Sequence, residues 1–141
     1  MDNFKSKTIN DINIGDKESV TFTVREEHVD AFAKATGDYN PLHMDQAYAE
    51  KTPFGKRIAH GVLLTGIVSG LLGTKFPGLG TVAREMTSKF SRPVYLGDTV
   101  TATAELVEKN EKINMCTFKY EVTNQEGKLI VKGLAAVLPR K

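Results

Sequence analysis

Polar and apolar positions alternate with period two in three parts of the chain. In "SVTFTV", Val20, Phe22 and Val24 share one face and threonines take the other, as in a half-buried strand. In "DTVTATAELV", Val100, Ala102, Ala104 and Leu106 alternate with Thr101, Thr103 and Glu105. In "CTFKYEV", Cys116, Phe118, Tyr120 and Val122 alternate with Thr117, Lys119 and Glu121. The period changes after the first of these strands. Val29, Phe32, Ala33 and Thr36 have helical spacing, which predicts a helix with one inward face. Thr23 and Glu26 have capping-box spacing ahead of it, and Gly37 supplies its C-terminal stop. The stretch from Gly61 to Leu72 differs in kind. Val62, Leu63, Leu64, Ile67, Val68, Leu71 and Leu72 leave no polar face, so the pattern predicts a helix buried nearly all round. Gly66 and Gly70 would admit a close backbone approach, at about 1 kcal/mol each, and Gly73 is expected to end the helix.

Residues 38 to 60 read as irregular, with a short helix near Asp45 to Lys51 ended by Pro53. Everything after Gly80 reads as strand. Residues 81 to 92 form one segment closed by Pro93, and "NEK" and "NQEG" sit where hairpin turns belong. Leu129 to Leu138 is apolar on both faces, as suits the centre of a sheet or an interface. One strand, helices, then four antiparallel strands predict an α+β layer: an antiparallel five-stranded sheet with the apolar helix across its concave face. Residues 1–141 read as a single domain, without repeat or linker. A five-stranded sheet covered on one face leaves edges to manage, which favours dimerisation.

Composition narrows the classes. At 141 residues the chain makes one ordinary domain that buries roughly two thirds of its unfolded surface. The net charge of +2 comes from 19 basic and 17 acidic side chains without a basic run, which argues against nucleic acid as a partner. The lone Cys116 allows no internal disulfide and suits a reducing cytoplasm. The polar start "MDNFKSKTINDINIG" lacks the apolar core of a signal peptide. The longest apolar stretch, "GVLLTGIVSGLLG", is short of the roughly 20 residues that span a bilayer.

The chemistry gathers in "TGDYNPLH", residues 36 to 43. Pro41 fixes its own φ and pushes Asn40 away from helix, so Asp38 and His43 flank a stiff turn. A carboxylate and an imidazole sharing one water can take a proton from it and return one elsewhere. Gly-Asp-x-Asn-Pro is also good turn chemistry without catalysis. A third feature follows: His60-Gly61 precedes the apolar helix, whose first amides lack intrahelical partners. The Gly61 N–H, with the positive end of the helix dipole behind it, can stabilise an enolate oxygen. The packing alternative for Gly61 is a cap glycine. The histidines at 28, 43 and 60 show no metal-ligand spacing, and the glycines at 73, 78 and 80 show no phosphate-binding pattern.

"FAKATGDYNPLHMDQAYA" resembles the signature of the MaoC-like, hydratase 2 family of (R)-specific enoyl-CoA hydratases. "IAHGVLLTGIVSGLLG" and "FSRPVYLGDTV" resemble its central-helix and later strand-turn segments, and the match runs from about residue 18 to the C-terminus. The resemblance implies the hot-dog fold, an antiparallel sheet wrapped around a long helix. It implies reversible addition of water to a trans-2-enoyl-CoA, giving the (R)-3-hydroxyacyl-CoA. It further implies that Asp38 and His43 act on one water as base and acid, that Gly61 N–H holds the thioester carbonyl, and that Ser69 is a polar residue of the substrate region. Asn40 and Pro41 would shape the loop, and His60 would be structural. The expected partners are an acyl-CoA substrate, or an acyl carrier protein thioester, and a second copy of the chain in a homodimer or dimer of dimers. Neither metal nor cofactor is expected. A carrier-protein dehydratase would use the same residues. A hot-dog thioesterase would not need the Asp-x-Asn-Pro-Leu-His arrangement, and an acyl-binding module would lose the pair.

Overall fold

Alternation decides which face of each long strand is buried. The computed structural model describes residues 3–141, and in it Val100, Ala102, Ala104 and Leu106 on one strand and Cys116, Phe118, Tyr120 and Val122 on the next are all buried. Along the chain the elements are β1 (Lys17–Thr23), α1 (Glu26–Thr36), α2 (Pro41–Met44), α3 (Gln46–Glu50) and α4 (Gly61–Thr74). After them come β2 (Val82–Met86), β3 (Lys89–Phe90), β4 (Thr99–Asn110), β5 (Met115–Thr123) and β6 (Leu129–Leu138). The strands form one antiparallel sheet in the order β1-β4-β5-β6-β2, with the two-residue β3 also paired to β6. The α+β layer is therefore the one expected, with a five-strand path and one short extra strand. Leu129–Leu138 lies inside the sheet, between β5 and β2, which accounts for its two apolar faces.

The segment 81 to 92 is divided where Thr87 leaves the ladder. Its N–H donates to the Leu134 carbonyl at 2.8 Å, and its hydroxyl accepts from the Leu134 N–H at 3.0 Å. The close approach is possible because residue 133 is glycine: a Cβ there would overlap the Thr87 carbonyl oxygen. Tyr120 completes the junction, donating to the Thr87 carbonyl at 2.7 Å while its hydroxyl meets Ser88 Oγ at 2.6 Å.

Helix α4 crosses the sheet with Leu64, Val68, Leu71 and Leu72 buried against the β4 and β5 side chains, and Ala102 and Ala104 leave room for it. Each such Leu or Val contributes about 1.5–3 kcal/mol on burial. The helix is not covered all round, however. Val62 is 59% exposed, and Gly66, Ser69 and Gly70 are exposed along the same side, because one sheet covers only one side of a helix. Among the described residues outside the helix's own backbone, nothing lies within 4 Å of where a Cβ would stand on Gly66 or Gly70. Nor does Gly73 stop the helix. It continues through Thr74, whose hydroxyl bonds back to the Gly70 carbonyl at 2.7 Å. The capping box expected at Thr23 is also absent. Thr23 belongs to β1 and bonds Thr99, while His28 Nδ1 caps α1 by accepting the Arg25 N–H at 3.0 Å. Gly37 does end α1, in the left-handed conformation with φ 80°.

Candidate active site

Pro41 occupies the first position of α2, where its missing N–H costs nothing, and Asn40 caps the turn by accepting the Leu42 N–H at 3.1 Å. This four-residue helix, absent from the sequence expectation, carries His43. The His43 ring is held by the segment ahead of α4: its Nδ1 lies 2.8 Å from the Ile58 carbonyl oxygen. A carbonyl can only accept, so Nδ1 carries the proton and Nε2 keeps a lone pair for the site. Arg57 adds a second tie, donating from Nε to the His43 carbonyl at 2.6 Å and pairing with Glu26 at 2.8 Å and Asp30 at 3.7 Å.

Asp38 follows the Gly37 stop. Its N–H donates to Thr36 Oγ1 at 3.2 Å, its carboxylate accepts the Asn40 N–H at 3.3 Å, and its carbonyl accepts from His60 Nε2 at 3.0 Å. His60, at 2% exposure, lies against His43 with ring centroids 4.1 Å apart, and its Nδ1 has no hydrogen-bond partner among the described residues. One donor atom from each of Asp38, His43 and His60 falls within 4.8 Å of the others. Two hydrogen bonds of ordinary length meeting at one water span roughly 4.6 Å, a span inside that limit. Of the atoms that could ligate there, His43 Nδ1 and His60 Nε2 already serve backbone carbonyls.

Burial is the main influence on the His43 imidazole and pushes its pKa below the ordinary 6.5. The bond to Ile58 opposes this, His60 lowers it further, and the Asp38 carboxylate raises it. His43 is therefore held as the neutral base near neutral pH. Burial also pushes the Cys116 thiol up to about 11, so this core cysteine is a poor nucleophile.

His43 and Gly61 both line a cavity of about 420 Å³ whose walls include Ile58, Leu64, Val94 and Ile130, with Arg92 among its lining. Gly61 opens α4, and the space beside it is already used. A Cβ at this position would stand 2.8 Å from Cε1 of Phe90, which also lines the cavity. The glycine thus serves packing as well as an accessible amide. Residues 57 to 61 hold the site together: Arg57 and Ile58 fix His43, His60 holds Asp38, and Gly61 presents its amide. They are pinned in turn by Ala59 N–H to the Val94 carbonyl at 2.7 Å and a bridge between Ile58 and Tyr95. The sequence signalled His60 and Gly61 by position alone, and Arg57, Ile58 and Phe90 not at all. Ser69 is not brought to the pair. It is exposed and lines a separate pocket of about 70 Å³ with Thr81 and Met86.

Comparison with known proteins agrees with this fold. Residues 10–127 match the MaoC like domain. The chain is 38% identical over 128 residues to an (R)-specific enoyl-CoA hydratase of Rhodospirillum rubrum, covering 91% of this chain and 88% of that one. It is 37% identical over 126 residues to the (R)-specific enoyl-CoA hydratase of Aeromonas caviae, covering 89% and 94%. Among solved structures, the unliganded R-hydratase PhaJ1 of Pseudomonas aeruginosa superposes with a TM-score of 0.92 at 37% identity, over 96% of this chain and 87% of that one. A hot-dog sheet around α4, with Asp38 and His43 on either side of the Asn40-Pro41 turn and Gly61 opening α4, thus belongs to a chain that is a member of the MaoC-like domain family.

Proposed function

We propose that this protein is an (R)-specific enoyl-CoA hydratase that adds water reversibly to trans-2-enoyl-CoA. The observation that carries the reading is that Asp38 and His43 bring ligating atoms within 4.8 Å of each other, close enough to share one water, while His43 and Gly61, whose amide opens α4, line one cavity. The lone pair of His43 Nε2 takes a proton from that water while the Asp38 carboxylate accepts its other hydrogen and orients it. The water oxygen bonds to the β-carbon, and the π electrons of the alkene move toward the thioester carbonyl. The Gly61 N–H stabilises the resulting enolate oxygen. The imidazolium then returns its proton to the α-carbon, restoring neutral His43 and giving the 3-hydroxyacyl-CoA. Water is the only co-reactant, and no step of this scheme calls on a cofactor or metal. An enoyl thioester on an acyl carrier protein would present the same atoms to the same residues, which makes the carrier a second arm of any assay. No helix among the described residues is long and apolar enough to cross a membrane, and with the lone buried Cys116 this supports a cytoplasmic setting.

The reading includes a homodimer. The exposed side of α4 at Val62, Gly66, Ser69 and Gly70 lies uncovered, and β2 is a sheet edge with Val82 57% exposed. A second copy covering both would remove an apolar strip and an open edge together. Sedimentation should give a dimer or dimer of dimers at micromolar concentration. A fully active 15.5 kDa monomer would contradict this assembly. Activity is tested with crotonyl-CoA by following loss of the enoyl-thioester absorbance. Loss of absorbance with formation of (R)-3-hydroxybutyryl-CoA is expected, and a folded protein that leaves the absorbance unchanged overturns the reading.

A further inference from the structure

We propose that His60 is a positioning residue, one that holds the Asp38 backbone and the face of the His43 ring so that one water can bridge the pair. The proposal rests on the hydratase reading for its kinetic consequence, but its geometry stands apart from it. His43 is well anchored without His60, through Ile58 and through Arg57 with its pairs to Glu26 and Asp30. Asp38 is not. The bonds of residues 37 to 40 to Ala33, Thr36 and Leu42 are all local. Among the described residues only the bond from His60 Nε2 to the Asp38 carbonyl, 3.0 Å long, ties this loop to a distant segment. Without it, the left-handed Gly37 and the exposed Tyr39 leave the carboxylate free to swing.

The residue is built for this work. A buried imidazole with one nitrogen unpartnered forgoes a hydrogen bond, which costs free energy. The cost is understandable where a flat ring is needed on both sides, and His60 has Phe32 at 4.7 Å and His43 at 4.1 Å. A smaller donor would reach Asp38 but would leave the His43 face unsupported. A hydrocarbon ring would support the face but release Asp38. The groups that set the His43 environment are Asp38, His60 and, at its backbone, Arg57 with Glu26 and Asp30.

Two variants separate the contributions. His60→Phe keeps the ring and removes the donor. Its kcat should fall about 10-fold to 10²-fold with KM within threefold, the cost of moving a reacting group by up to about one ångström. His60→Gln keeps an N–H and removes the ring. It should retain more of kcat, while His43, followed by NMR without substrate, should titrate nearer its ordinary value. In the wild-type protein, long-range proton–nitrogen spectra should place a proton on His60 Nε2 and one on His43 Nδ1. The opposite tautomer at His60 would overturn the proposal even if both variants fail to fold. So would two folded variants with wild-type kcat and wild-type His43 titration. A kcat loss that only tracks the loss of folded protein, with His43 titrating unchanged, would also overturn it. A wild-type protein without hydratase activity would instead count against the reading of the reaction, while the NMR result still judged His60.

Discussion

Replacing Gly61 by alanine tests the site at its tightest point. The new methyl would lie 2.8 and 2.9 Å from Cε1 and Cδ1 of Phe90. Carbon atoms pack comfortably at about 3.5–4.0 Å, so the ring must move by roughly 0.7–1.2 Å. Phe90 is 49% exposed, which lets the ring yield toward solvent and keeps the strain near the low end of the ~1–3 kcal/mol typical of overpacking. Alanine recovers up to about 1 kcal/mol of helix propensity. The melting temperature of Gly61→Ala should therefore shift by only a few degrees. Activity should respond far more, because both Gly61 and Phe90 line the cavity. A displacement of about one ångström beside a reacting group costs ~10²-fold, comparable to losing an oxyanion donor. In steady-state kinetics with crotonyl-CoA, kcat/KM should drop about 10²-fold. Adding Phe90→Ala should recover at least tenfold relative to the sum of the two single effects. Wild-type kinetics for Gly61→Ala would refute the reasoning. Strict additivity of the two changes would show that the loss does not run through Phe90.

Other consequences follow from the same contacts. Asp38→Asn and His43→Gln should each remove at least ~10²-fold of kcat with the fold intact, and the double variant little more, since the two act on one water. Activity within threefold for either single variant would sink the pairing. The lowered pKa of His43 sets a pH dependence for the fold. Below about 6.5 the unfolded chain takes up a proton that the folded chain refuses, so stability is full above that pH and falls as pH drops through 6.5 toward the folded value. Denaturant melts of His43→Gln across this range should show a smaller acid slope than wild type. Gly133→Ala puts a methyl into the Thr87 carbonyl, where backbone must move. A loss of about 3 kcal/mol or more is expected, and a melting point unchanged from wild type would show that the junction of β2 and β3 is softer than its hydrogen bonds imply.

Strands were the most legible part of the chain, because β4 and β5 bury one face each and their alternation survives intact. The apolar α4 was legible as a buried helix, but its uncovered side was not. Apolar residues and small residues look alike in sequence whether they face a sheet or await a partner, and only the geometry separates Val62 from Leu64. The break at Thr87 depends on Gly133, 46 positions later, so no local pattern marks it. Asp38 and His43 were visible because a proline-stiffened turn joins them. What holds them was not: Ile58 acts through its carbonyl, which no side-chain type reveals, and Arg57 through pairs that form only when α1 folds back. Ser69 was singled out as a polar residue two turns along α4, and its exposed position shows that sharing a helix with Gly61 does not mean sharing a cavity.

The central claim is that one water, held by Asp38 and His43, adds across the alkene while the Gly61 amide holds the carbonyl. Both new atoms then arrive on one face of the substrate. With crotonyl-CoA in deuterated water, the product should be (R)-3-hydroxybutyryl-CoA carrying one α-deuterium of single relative configuration, that of syn addition, and free CoA should appear no faster than without enzyme. An (S) product or an anti relationship between hydroxyl and deuterium would contradict the geometry, and rapid release of CoA would mean that water is delivered to the carbonyl carbon instead.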